Sequence, residues 1–553
     1  MVYGQLWCFL SQLEIQNGEI EKVIFGTKRK ESIPPRIGPM RVGGERRKFK
    51  IYRSIYSEMI REHSPFPDIP SIERYLSDMA RLNEIQSRIF GMRPTSRDQL
   101  PFENEPTRPD LIPYLFEGDI VLTEEQMKTI LRDTEEQLKH KEDNDDDGNL
   151  RKRRSMTSYP YSRWTNFPIP YYINTGSGVS EAAVIAGIRR WEADTCLTFT
   201  RVYSRTRGNG LEFFLGNGCY SMVGRVGKTS QQISIGYGCT SLGIVTHEIG
   251  HSLGFYHEQA RYDRDSYVSI LTGNIQNGYV AQFTKQSKPN MIDYGVGYDY
   301  GSVMHYDQFS FSQSGRPTIQ TIDRNYQQTI GQRDGPSFMD VKRINLAYCS
   351  STCINKLPCR HGGYTDPKNC AVCRCPTGLS GRLCDQAAPN PSVCGNGART
   401  ASSTMQSISV RGATSCSFVI KAPAGRRVYY EVPTFRFTAA NLCSKDYLEI
   451  KYTADLQRMG ARFCRARPAN SYSQTDMLIV LYKGSSNTDF RLNYRYDISA
   501  LNVNQQPTVA LGATTKTDTA VQHTTTSRAS QPTACTPWTA CSAQCGGCGT
   551  QTR

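Results

Sequence analysis

A chain of 553 residues with a net charge of +15 has material for several domains, and no stretch is long and apolar enough to span a membrane. Its Lys and Arg are interspersed with acids, so the charge reads as a solvated surface rather than a nucleic-acid interface. Of 19 Cys, all but Cys8 lie at or after Cys196, a distribution that excludes an ordinary cytosolic enzyme and favours secreted, disulfide-linked extracellular modules.

In chain order, residues 6–10 form a short apolar patch with no basic residue before it and Glu14 soon after, a poor secretory signal, so the start is expected to be incomplete or wrongly assigned. Residues 27–110 are polar, basic and Pro-punctuated and read as a poorly compact segment, with a short helical pattern over 72–82. Phe116-Glu117-Gly118-Asp119 by itself is a turn. Thr123-Glu124-Glu125-Gln126 is a capping box that opens a helix to about Lys139. The acidic run 142–147 reads as a solvated linker, and Arg151-Lys152-Arg153-Arg154 is a furin-type cleavage sequence; a cut after Arg154 leaves Ser155 as the new N-terminus. Residues 1–154 are therefore expected to be a propeptide, and a furin-type protease its processing partner.

The next expected domain is 155–350. Residues 167–173 enter a strand, Ser180 caps a helix with Val184, Ile188 and Trp191 on one face, and 211–215 and 232–235 read as strands. Residues 247–257 read HExxHxxGxxH. Leu242, Ile244 and Val245 with Ile249 and Leu253 make an apolar helical stripe, so His247 and His251 at i and i+4 share a face and can grip one ion. Glu248 stands beside them as a base that does not ligate, Gly254 tolerates the left-handed turn that ends the helix, and His257 returns as a third ligand. Three neutral nitrogens leave one zinc position open for water, the arrangement of a catalytic site. Ser337-Phe338-Met339-Asp340 starts a last helix with Val341, Ile344 and Tyr348 inward.

This motif resembles that of the metzincin zinc endopeptidases. Glu258 directly after the third His, and Ser302-Val303-Met304-His305-Tyr306 further on, look like the astacin family. The resemblance implies an α+β domain with a twisted sheet above and helices below a cleft that holds one zinc. It makes Met304 an apolar floor under the metal and Tyr306 a phenol that stabilises the developing oxyanion. It pairs Glu258 with the amine of Ser155 after processing, and makes Asp119 the propeptide ligand that occupies the open zinc position. It assigns residues 219–225 to the edge strand that pairs with substrate, and bonds Cys196 to Cys349 and Cys219 to Cys239.

Residues 351–385, with Cys353, Cys359, Cys370, Cys373, Cys375 and Cys384, look like a small disulfide-rich EGF-like module whose pairing stays open; a zinc knuckle is the alternative for these thiols. Alternating runs across 394–498 suggest a β-sandwich that resembles a CUB domain, with Cys394 bonded to Cys416 and Cys443 to Cys464 by that resemblance. Asp446 is present, but the stretches that would supply further calcium ligands read Phe435-Arg436-Phe437 and Lys483-Gly484-Ser485, which argues against calcium. Residues 499–534 are a Thr/Ser-rich linker, and 535–553 look like the truncated start of a thrombospondin type 1 repeat. This module order is similar to that of nematode astacins that act on cuticle during moulting. The expected function is a secreted zinc endopeptidase made as a zymogen, cutting extracellular matrix or cuticle proteins, collagen-like ones included. The competing readings are a developmental protease acting on growth-factor or procollagen precursors, and a catalytically dead adhesion protein.

Overall fold

The computed structural model describes residues 22–24, 27–29, 69–93, 115–142, 156–157, 162–206, 208–227, 230–287 and 291–497. Arg154, Ser155, the Thr/Ser-rich linker and the thrombospondin-like start lie outside the described residues.

Residues 69–93 correct the expectation of a poorly compact segment for that part of 27–110; the rest of the range, apart from 27–29, lies outside the described residues. Helix α1, Ile69–Ile89, is longer than the 72–82 pattern suggested. Its Tyr75, Met79, Leu82 and Ile85, spaced to fall on one face, are buried with Met127, Ile130, Leu131 and Leu138 of helix α2, Glu124–Glu142. A stripe this sparse forms a long helix only because a second helix covers it. The capping box of α2 is complete: Thr123 Oγ1 accepts from the Gln126 amide at 3.2 Å, and Gln126 Oε1 from the Thr123 amide at 2.9 Å. The helix pair rests on the α+β unit, where the Ala281 amide donates to Asn83 Oδ1 at 3.2 Å and Gln126 Nε2 donates to the Val223 carbonyl at 3.0 Å.

The α+β unit is built on a six-stranded sheet. Its strands are β1 (Ile120–Val121), β2 (Ile169–Ile173), β3 (Phe199–Val202), β4 (Gly210–Phe214), β5 (Cys219–Met222) and β6 (Ser230–Ile235). Their order is β1-β5-β6-β4-β2-β3, parallel except between β5 and β6. Helix α3, Glu181–Asp194, starts at the Ser180 cap and buries Val184, Ile188 and Trp191 against helix α4, Leu242–Ser252. A Cβ on Gly187 would stand 2.4 Å from Val245 Cγ1, so this approach of α3 to α4 requires glycine. Trp191 Nε1 donates to the Thr246 carbonyl at 3.0 Å, which fixes the helix pair along its axis. Helix α5, Phe338–Tyr348, carries a capping box between Ser337 and Asp340. Cys196 is bonded to Cys349 and Cys219 to Cys239.

In the following small module Cys353 is bonded to Cys370, Cys359 to Cys373 and Cys375 to Cys384. With every one of these thiols in a disulfide, the zinc-knuckle alternative is overturned. The β-sandwich packs two sheets face to face. One contains β8 (Ser415–Lys421), β12 (Met477–Lys483), β10 (Tyr447–Lys451) and β11 (Ala461–Phe463); the other contains β7 (Gln406–Arg411), β13 (Asp489–Tyr496) and β9 (Val428–Arg436). Alternate residues such as Ile408, Val410, Tyr430, Val432, Phe490 and Leu492 fill the space between them. Cys394 is bonded to Cys416 and Cys443 to Cys464.

The sandwich docks onto the α+β unit through residues 298–301 and Asp334. The Met459 amide donates to Asp299 Oδ1 at 3.1 Å, and Arg458 Nε donates to the Tyr298 carbonyl at 2.9 Å. Arg462 reaches Asp334 at 2.8 Å and Glu449 at 3.1 Å. A Cβ on Gly301 would lie 2.3 Å from Met459 Sδ, so backbone and side chain touch there without a gap.

Candidate metal centre and active-site cleft

Three features of the local sequence place the histidines. Ser241 caps α4 by accepting from the Ile244 amide, the helix carries His247 and His251 one turn apart, and Gly254 at φ 110° reverses the chain so that His257 returns to the same spot. The three Nε2 atoms converge: His251 Nε2 and His257 Nε2 lie 3.0 and 3.3 Å from His247 Nε2. Asp119 closes the fourth side, its Oδ2 3.0 Å from His247 Nε2 and 3.1 Å from His257 Nε2, its Oδ1 3.5 Å from His251 Nε2.

Each ring also has an oxygen at its other nitrogen. His247 Nδ1 stands 2.7 Å from the Val303 carbonyl, His251 Nδ1 2.8 Å from the Phe255 carbonyl, and His257 Nδ1 2.7 Å from Glu117 Oε2. These acceptors hold the proton on Nδ1 and turn the Nε2 lone pairs toward one another. Converging lone pairs repel unless a cation lies between them, and buried Asp119 Oδ1 has no hydrogen-bond partner. The donor set therefore fits a zinc ion, with four ligand atoms all within 4.8 Å of one another. Burial above all pushes His247 down to about 3, which keeps its ring neutral and able to ligate. Burial alone would raise Asp119, but the histidine rings around it outweigh that and hold the carboxyl well below the usual range.

Glu248 is 1% exposed, its Oε2 has no hydrogen-bond partner, and burial, then the charge of Asp119, pushes its carboxyl well above the usual range. It is a buried carboxyl of raised proton affinity, directly after His247 in the chain. Met304 is fully buried, and a Cβ on Gly250 would meet its Sδ at 2.9 Å, so the thioether presses on the back of the zinc helix. Tyr306 sets its ring 4.7 Å from that of His257 and donates its phenol to the Glu117 carbonyl at 2.6 Å.

Glu258 is held from within the unit: Arg343 Nη1 and Nη2 reach its two oxygens at 2.7 and 2.8 Å, and the Asp299 amide donates at 2.7 Å. The Ser155 amine to which the resemblance pairs it is outside the described residues. Sequence reasoning missed Arg343, Asp340 and Glu117. Asp340 takes the Ser302 hydroxyl at 2.6 Å and the Val303 amide at 2.8 Å, so the capping acid of α5 also shapes the turn whose Val303 carbonyl faces His247 Nδ1. Its place at the third position of a capping box was the only signal available in the sequence. The outer edge of β5 is taken by β1, with Ile120 opposite Ser221 and Val121 opposite Met222 in parallel, so the N-terminal segment lies where an added strand would pair.

A helix-borne histidine pair, a third histidine after a glycine turn, a dry carboxylate and an adjacent strand edge define a zinc-dependent protease. The model of the Astacin peptidase family matches residues 156–349, and that of the CUB domain matches 394–494. Zinc metalloproteinase nas-34 of Caenorhabditis elegans is 49% identical over 91% of this chain and 88% of its own. Zinc metalloproteinase nas-30 of the same worm is 41% identical over 69% of this chain, which spans half of that longer protein. High choriolytic enzyme 1, a hatching enzyme zinc-protease from Oryzias latipes, is a solved structure with 36% identity that covers 35% of this chain and 98% of its own, at a TM-score of 0.32. The chain belongs to the astacin family of zinc metalloproteinases, with zinc as its cofactor and a CUB domain after the peptidase domain.

Proposed function

We propose that this protein is a secreted zymogen whose peptidase domain cuts extracellular matrix or cuticle protein, in nematode moulting, after a furin-type cut behind Arg154 removes residues 1–154. The observation that carries the zymogen reading is Asp119 seated among three histidine nitrogens, with β1 on the neighbouring strand edge. Both places a substrate needs are filled by the same short stretch of chain. Seven disulfides among the described residues support an oxidising compartment, and the EGF-like, CUB and thrombospondin-like order supports the matrix reading.

His247, His251 and His257 hold the metal, and zinc bound there supplies Lewis acidity that polarises a peptide carbonyl and acidifies water. Everything else is done by the chain. The freed edge of β5 pairs with an extended substrate backbone and sets the scissile bond across the cleft. Glu248, with a proton affinity raised by burial, takes a proton from water at its carboxylate and passes it to the leaving amine. Tyr306, whose phenol is now tied to the Glu117 carbonyl, is released with the propeptide and donates to the oxyanion. Met304 supports the histidine helix from below, and Glu258, held by Arg343, fixes the turn that carries His257. Glu258 then meets the new amine of Ser155.

The test combines three variants with a cleavage-site profile on a peptide library. Arg154→Ala leaves the chain uncut and inactive; Asp119→Ala in that background restores peptide hydrolysis without cutting; Glu248→Ala abolishes it in every form. Activity of the uncut Arg154→Ala chain, with Asp119 in place, removes the zymogen reading.

A further inference from the structure

The three zinc-ready rings differ in who orients them. His247 and His251 give their Nδ1 protons to carbonyls of the peptidase domain itself, Val303 and Phe255. His257 gives its proton to Glu117, a residue 140 positions earlier in the N-terminal segment. Building on the zymogen reading above, we propose that Glu117 is a positioning residue for the metal: the propeptide supplies both a ligand, Asp119, and the outer carboxylate that orients His257, so that it retains zinc as well as blocking the cleft.

The surroundings of Glu117 fit that task. Its side chain is fully buried, a costly place for a carboxylate without donors. It has two: His257 Nδ1 at 2.7 Å on Oε2, and Gln286 Nε2 at 3.2 Å on Oε1. Its carbonyl accepts the Tyr306 phenol at 2.6 Å. Its backbone sits at φ 49°, in the left-handed region that a residue with a Cβ seldom adopts. Gly118 follows at φ 77°, and these two turns point Glu117 at one nitrogen of His257 and Asp119 at the other. A strained backbone with a buried charge persists where its partners over-determine it. A carboxylate on the far nitrogen fixes the ring and makes the ligating nitrogen more basic, and losing such a partner typically costs about 10- to 100-fold in metal affinity. A domain cut free of residues 1–154 keeps the partners of His247 and His251 and loses that of His257, so the uncut chain is the tighter zinc holder.

The experiment measures zinc release to a chromophoric chelator from the full uncut chain, made uncleavable by Arg154→Ala and carrying Glu117, Glu117→Gln or Glu117→Ala. Release is expected to be about 10- to 100-fold faster with Glu117→Ala, and intermediate with Glu117→Gln, which keeps an oxygen but no charge. The cobalt-substituted uncut chains should differ in their visible absorption, a signature of the ligand field that loss of packing alone would not produce. Cleavable versions are then cut after Arg154. All give the same peptidase domain, so their release rates must coincide if each variant had folded; where Glu117→Ala fails this control, Glu117→Gln decides. Equal release from Glu117 and Glu117→Ala uncut chains overturns the proposal. An uncut chain that is silent on peptides yet shows equal release rejects the Glu117 role alone, whereas an uncut chain that hydrolyses peptides rejects the zymogen reading instead.

Discussion

The cleft and the loop end of the CUB domain each bury an acid, and the two are treated differently. In the cleft, buried Glu248 leaves Oε2 without a hydrogen-bond partner, and Asp119 beside it faces only histidine nitrogens, Oδ2 at 3.0 Å from His247 Nε2 and Oδ1 at 3.5 Å from His251 Nε2. Asp446, 2% exposed, has both oxygens satisfied: the Thr438 amide at 2.9 Å on one, the Thr438 and Ser485 hydroxyls at 2.8 Å on the other. A buried carboxylate short of donors is kept for a cation or a proton; one surrounded by hydroxyls is a structural tie. The same contrast holds between sequence neighbours of the zinc ligands. Glu258 is gripped by Arg343 and the Asp299 amide, and Glu248 is left with an unpaired oxygen.

Four substitutions put that contrast to the test. The largest effect is expected at the under-satisfied acid. Glu248→Ala should lower kcat/KM of the active peptidase on a peptide by about 10²- to 10⁴-fold with stoichiometric zinc retained, read by steady-state kinetics beside metal analysis. Persistent turnover would assign the base elsewhere. Arg343→Met removes the bidentate partner of a buried carboxylate and leaves Glu258 with the Asp299 amide and with Arg261 Nε at 3.9 Å; unfolding free energy should fall by about 3–5 kcal/mol in a denaturant titration. A variant as stable as the parent would show that Glu258 has another partner of equal strength.

Asp446 gives a smaller, pH-dependent effect. Burial would raise its carboxyl, but the Ser485 and Thr438 bonds outweigh that and hold it below the ordinary value. A depressed folded value means stability that is present above the unfolded value of about 3.9 and is lost as pH falls through the folded one. Asp446→Asn should cost about 1–3 kcal/mol near neutrality and flatten the acid limb of the stability curve of the sandwich. An unchanged limb below about pH 4 would remove Asp446 from it. The weakest response belongs to the surface. Arg88 and Glu142 pair at 2.6 Å while half exposed, and Arg88→Ala should move the melting free energy by less than about 0.5 kcal/mol. A larger loss would mean that α1 is held to α2 by charge rather than by its apolar stripe.

Local patterns made much of this legible. The Ser180, Ser337 and Thr123 caps read directly as helix starts because their side chains answer amides three residues on. The α1 helix was underestimated because residues 69–89 are polar enough to look unstructured until α2 covers Leu82 and its neighbours. The six cysteines of the small module named a disulfide framework but not its connectivity, since spacing alone permits many pairings.

The zinc motif is a local property of the amino-acid chain. His247, Glu248, His251 and His257 lie within eleven residues, and the pitch of one helix and one glycine turn is enough to bring three nitrogens together. What stands around them depends on the folded whole. Asp119 meets His247 across 128 positions of chain, Glu117 meets His257 across 140, and Arg343 meets Glu258 across 85. No local periodicity encodes contacts of that range, because they exist only after separate elements have buried their apolar faces against one another and thereby fixed where the polar groups between them must point.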